Sequence, residues 1–122
     1  MEGKQKSDVK IRSYYFSLKI IKLINTLPEK RLFWTIGDQL LRSSMSVGAN
    51  IVEAKSSSTK KEFTRYFQIS LKSANESKYW LCLLRDGSNT DKQKINLLLE
   101  ELNEISNMLG ASIITLKKSL KK

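Results

Sequence analysis

The sequence predicts an all-α fold, an up-down-up-down antiparallel four-helix bundle, and three observations carry that prediction. Apolar and small residues recur at alternating steps of three and four through four long segments, the spacing that keeps one stripe of a helix turned toward a partner. The β-branched clusters never settle into the period-two alternation of a half-buried strand. Breakers are sparse, with one Pro and five Gly in 122 residues, and the polar connections are short, which makes consecutive helices antiparallel neighbours. This length supports one domain with one core. We assign it to residues 8–120, behind a basic tail at residues 1–7 that is expected to be disordered.

The first helix is expected from about residue 8 to Leu27, where Pro28 closes it because the ring removes a donor and clashes with the preceding turn. It is apolar on two sides. Ile11, Tyr14, Leu18 and Ile21 form one stripe, and Phe16, Ile20, Leu23 and Leu27 form another, roughly 160–180° away at the ~100° per residue of an α-helix. One stripe serves the chain's own core. The other calls for a second partner, and another copy of the chain is the simplest supplier. Which stripe does which stays open at this level. Phe16, Ile20 and Leu23 stand as candidate residues of a homo-oligomer interface, against the plainer reading that Phe16 and its companions cover an irregular bundle edge.

The second helix is expected over Lys30 to Ala54, with Ile36, Leu40, Ser44, Val47 and Ile51 as its core stripe. Gly37, Ser44 and Gly48 make a neighbouring lane of minimal side chains, along which two backbones can approach closely. A polar stripe, Ser43, Ser46, Asn50 and Glu53, reads either as a solvated face or as hydrogen bonds to an adjacent helix. Asn50 borders the core residue Ile51, and a buried amide must be paired. Catalysis fits these residues poorly, because an activated hydroxyl needs a neighbouring base such as His or Lys.

Ser56 to Ser58 form the next turn, and Thr59 followed by Glu62 spells a capping box, so helix three should begin at Lys60. Lys60 and Lys61 in a first helical turn, beside exposed amides, can hold a phosphate; an ordinary solvated cap is the competing reading. Helix three carries Phe63, Phe67, Ser70, Ala74, Ser77, Leu81 and Leu84 inward, with Ile69, Ser73, Glu76 and Trp80 widening that face, and stops at Asp86-Gly87-Ser88-Asn89. Trp80 reads as packing, within or between subunits, rather than as a base-stacking platform, which more often exposes several aromatics. Thr90 with Gln93 spells a second capping box. Helix four then buries Ile95, Leu98, Leu102, Ile105, Leu109, Ile113, Leu116 and Leu120.

Composition narrows the function classes. The chain has no His and one Cys, Cys82, which leaves no internal disulfide framework and no metal-ligand or cofactor set, and suits a reducing cytoplasm. The polar N-terminus MEGKQKSDVK lacks the apolar core of a signal peptide, and no run approaches the ~20 apolar residues of a membrane span. A membrane partner is not expected. Lys and Arg outnumber Asp and Glu by 22 to 12, a formal +10, so an anionic partner is a live hypothesis. In an antiparallel bundle the start of helix one, the turn between helices two and three, and the end of helix four share one pole. Lys4, Lys6, Lys10 and Arg12 stand there against Glu2 and Asp8, Lys55, Lys60, Lys61 and Arg65 against Glu53 and Glu62, and Lys117, Lys118, Lys121 and Lys122 unopposed, so that pole gathers +8.

The spelling of this central stretch is itself distinctive. The segment LRSSMSVGANIVEAKSSSTKKEFTRYFQISLKSANESKYWLCLL resembles the bacterial four-helix-bundle family encoded in intervening sequences of 23S ribosomal RNA genes. Ser46, Val47, Gly48, Ala49, Asn50, Ile51, Glu53 and Ala54 match its S-[IV]-[PG]-A-N-I-x-E-[GA] hallmark; Lys60 to Phe63 match K-[KR]-[ED]-F; Glu76, Ser77, Tyr79, Trp80 and Leu81 match E-[ST]-x-Y-W-L. Many members have Pro and Gly where this chain has Gly48 and Ala54, which points to a subgroup. The resemblance implies a closed ring, usually a homopentamer, and no known enzymatic activity. It also implies distant kinship with accessory variability proteins of diversity-generating retroelements, basic pentamers that bind nucleic acid and a reverse transcriptase. That kinship is one of fold and charge only.

Two function classes follow. One is a basic oligomeric module binding RNA or DNA through phosphates, with Lys10, Arg12, Lys55, Lys60, Lys61, Arg65, Lys117, Lys118 and Lys121 as contacts and no base-reading motif. The other is a protein-interaction scaffold in which the positive charge only solubilises. Gly48, Asn50, Glu53, Glu76 and Trp80 are assigned to the oligomer interface or to the structural motif.

Overall fold

The computed structural model describes residues 8–121; the tail expected at residues 1–7, with its Lys4 and Lys6, and Lys122 lie outside the described residues. Among the described residues the fold is all-α: α1 spans Val9–Asn25, α2 Arg31–Lys55, α3 Lys60–Gly87 and α4 Lys92–Leu120. No helix among them is long and apolar enough to cross a membrane.

Local chemistry sets the helix starts. The Asp8 carboxylate accepts from the Lys10 amide at 2.9 Å, and the Thr59 hydroxyl accepts from the Glu62 amide at 3.1 Å, each satisfying a donor that has no partner within its helix. The second capping box is not used as expected. Asp91, not Thr90, caps α4, accepting from the amides of Gln93 at 3.0 Å and Lys94 at 3.2 Å. A carboxylate is favoured there by the positive end of the helix dipole, and Thr90 instead shares a hydrogen bond with Ser88 at 2.8 Å. Helix α1 ends two residues ahead of Leu27: the Thr26 hydroxyl donates to the Leu23 carbonyl at 2.7 Å, just before Pro28.

Each helix packs against two neighbours, leaving α1 across from α3 and α2 across from α4; the α2–α3 seam is the most extensive and the α1–α4 seam the least. Phe16, Ile20, Leu40, Val47, Ile51, Leu81, Ile95, Leu102 and Leu109 lie at the centre with no exposure. A large apolar side chain so enclosed contributes about 1.5–3 kcal/mol by leaving water. This resolves the two stripes of α1. Phe16, Ile20 and Leu23 are the chain's own core rather than an interface, because α2 and α4 close over them. The outward stripe holds Tyr14, 62% exposed, and Leu18, 36% exposed, with Ile11 and Ile21 half-buried beside them. At the far end of α4, Leu116 is only half-buried and Leu120 is exposed, since α4 there outruns the cover of its neighbours.

Small residues let the seams close. Gly48 faces Ser13 of α1, where an added Cβ would stand 3.6 Å from the Ser13 Cβ and 4.0 Å from its carbonyl carbon. Between α2 and α3 runs a line of hydroxyls. Ser43 meets Ser77 at 2.8 Å, Ser73 donates to Ser46 at 2.8 Å, and Ser70 donates to the Val47 carbonyl at 2.7 Å. The polar stripe of α2 is therefore divided. Ser43 and Ser46 bridge to α3, Asn50 reaches back to the Ser46 hydroxyl at 2.9 Å and its carbonyl at 2.8 Å, and Glu53 stands in solvent.

Candidate nucleic-acid interface

Antiparallel packing brings the first turn of α1, the α2–α3 turn and the last turns of α4 to one end. The Lys60 ammonium donates to the Ser119 hydroxyl across α3 and α4, which ties the beginning of one helix to the end of the other. Lys10, Lys55, Lys60, Lys61, Arg65, Lys117, Lys118 and Lys121 are all exposed there. Asp8, Glu53 and Glu62 are the exposed acids among them, so the described residues leave +5 at this end with Arg12 set aside.

Arg12 does not join them. Its guanidinium bonds Glu104 and, at 3.3 Å, Glu101 of α4, and its side chain is 13% exposed. Burial alone would lower its pKa, but the hydrogen bonds and charges of Glu104 and Glu101 outweigh that and raise it above the ordinary value. A cation held by two carboxylates has no charge to offer a phosphate. Lys19 adds a further contact to Glu101 at 3.8 Å, so this cluster belongs to the α1–α4 seam.

The remaining candidates lie elsewhere. Gly48 and Asn50 serve the α1–α2 contact and the hydroxyl network. Trp80 donates its indole N–H to Glu76 at 2.9 Å, one turn away, with Tyr79 edge-on at 5.1 Å. Charge counting missed the middle of the basic end. An open groove of about 690 Å³ lies there, walled by Phe63 and Phe67 of α3, Lys55 of α2, Asp8 and Val9 at the start of α1, and Ser112 and Thr115 of α4. Phe63 and Phe67 read as ordinary core positions by their spacing. Near the bundle end Phe63 is only half-buried.

A basic, antiparallel four-helix bundle whose cationic end is assembled from three separate chain segments is the class that this architecture defines. The chain belongs to the 23S rRNA-intervening sequence protein family, whose model matches residues 5–111. It is also similar to a solved structure from Bacteroides thetaiotaomicron VPI-5482, a protein with unknown function from the S23 ribosomal protein family. The two share 32% sequence identity with a TM-score of 0.82, over 87% of this chain and 98% of that one. Comparison with curated proteins gives no match.

Proposed function

We propose that the protein is a non-enzymatic, basic homo-oligomeric module that binds RNA or DNA through phosphate contacts at the α2–α3 end, as an accessory to a nucleic-acid enzyme such as a reverse transcriptase. The observation that carries this reading is the gathering of eight exposed cations from three segments at one end of the described chain. Such a field attracts phosphates, and its contacts position a backbone without reading sequence. Self-association is supported by the outward stripe of α1, whose Tyr14 and Leu18 are continued on α2 by exposed Met45 and Val52, three and four residues from Gly48 on the side that meets α1. A closed ring, such as a pentamer, would repeat the basic end around one rim and multiply weak phosphate contacts.

The same apolar surface supports a second reading, a scaffold that holds a protein partner with no nucleic-acid role. Salt dependence separates the two. Fluorescence anisotropy with labelled RNA and DNA should show affinity falling steeply with salt, each phosphate contact contributing about −0.9 to the log–log slope on duplex DNA and about −0.7 on single strands. Replacing Lys60, Lys61 and Arg65 by Gln should flatten that slope with fold and assembly unchanged. Absence of binding at low salt, or an unchanged slope in the variant, would favour the scaffold.

A further inference from the structure

We infer that the groove at the basic end takes an unpaired nucleobase, so that the nucleic acid bound there is single-stranded; this rests on the phosphate-binding reading above and adds a substrate class to it. The end of the bundle is not a flat field of lysines. Its groove, about 690 Å³ and largely open to solvent, leaves room for a small planar group to lie against it, and one wall is aromatic. The Phe63 ring stacks on Phe67 with centroids 4.7 Å apart and planes at 30°, so its orientation is fixed by a neighbour that is itself core. The Lys55 ammonium sits 5.5 Å from the Phe63 centroid, within the range at which a cation is attracted to a ring face. Lys55 is exposed on a flexible stem. A base can take its place on the ring while the ammonium moves to the phosphate of the same nucleotide, which preserves the charge pairing and adds a stacked surface.

The rest of the lining suits a base edge without selecting one. Thr115 donates its hydroxyl to the Ala111 carbonyl and so presents lone pairs to the groove, Ser112 adds a second hydroxyl, and Asp8 supplies a carboxylate acceptor. A duplex cannot use this arrangement without extruding a base, because its faces are stacked and its edges paired. Phosphate density alone favours duplex over single strand. A preference for single strands must therefore come from the groove.

The test uses the full chain, with an oligothymidylate, an abasic sugar-phosphate strand of the same length, and a duplex, followed by anisotropy across a salt series. The thymidylate should bind roughly tenfold or more tighter than the abasic strand, the magnitude of one stacked base, with the same salt slope. Phe63→Leu keeps apolar bulk in the wall and removes the ring, and Ala111→Met fills the groove from an exposed helical position. Each should abolish the difference between the two strands and leave the slope unchanged. Equal binding of thymidylate and abasic strands, both salt-dependent, would overturn the inference while the phosphate reading stands, and would leave the groove to an apolar side chain of a protein partner. A base preference that survives in both variants would also overturn it. No binding to any of the three probes at low salt would overturn both readings.

Discussion

Arg12 and Gly48 show what a single position owes to a distant one. Arg12 stands among the basic residues at the start of α1, and counting charges along the chain assigns it to the basic end; its partners Glu101 and Glu104 follow 89 and 92 residues later. No local pattern encodes that pairing, because it depends on how α4 lies against α1. Gly48 was legible, since a lane of small side chains has meaning only where a backbone comes near. Its added Cβ would meet Ser13 at 3.6 Å, an ordinary contact, with no positive φ to forbid a side chain. Gly48→Ala should therefore be tolerated, whereas Gly48→Leu should overpack the α1–α2 crossing and cost about 1–3 kcal/mol. Urea denaturation of the two variants checks this, and equal stabilities would show that α1 can retreat without penalty.

At the scale of the helix, the alternation of three and four was enough to find all four elements and most of their inward faces. What it could not supply is the identity of the surface that each face meets. The serines of α2 and α3 illustrate the gap: spacing marks a polar stripe, but only the packed pair turns Ser43 and Ser77 into partners 2.8 Å apart. Ser77 also donates to the Ser73 carbonyl at 2.9 Å and so accepts from Ser43, whose hydroxyl lies 3.3 Å from the Leu40 carbonyl as well. Ser77→Ala should turn the Ser43 hydroxyl onto that Leu40 carbonyl and cost about 0.5–1.5 kcal/mol, and Ser43→Ala should then cost less than it does in the unaltered chain. A double-mutant cycle by thermal melting reads the coupling; strict additivity would mean that the two hydroxyls do not depend on each other. Thr90 and Asp91 make a similar point, because two adjacent residues both fit the start of α4 and the charged one prevails.

For the molecule as a whole, topology converted separate charge runs into one basic end, and that much could be reasoned from short connections alone. The groove could not, because it depends on where α1 begins relative to the first turns of α3. The assignment of the two α1 stripes was likewise undetermined until the core was seen. Tyr14→Lys with Leu18→Lys should give a monomer of native helicity if the outward stripe joins copies, whereas Ile20→Lys with Leu23→Lys should unfold the chain by burying charge in the core. Light scattering with circular dichroism distinguishes these outcomes, and an intact assembly in the first pair would remove that stripe from the interface. The slack α1–α4 seam has a consequence for how the fold comes apart. Among the described helices α1 is the shortest, and it is fastened to α4 partly by Arg12 and Lys19 to the Glu101 and Glu104 carboxylates, of which the exposed Lys19 contact is the one that salt weakens most. Amide hydrogens of α1 should exchange with deuterium before those of α2 and α3, and added salt should widen the gap, so that the chain opens as a hinged flap on a persistent α2–α3 hairpin.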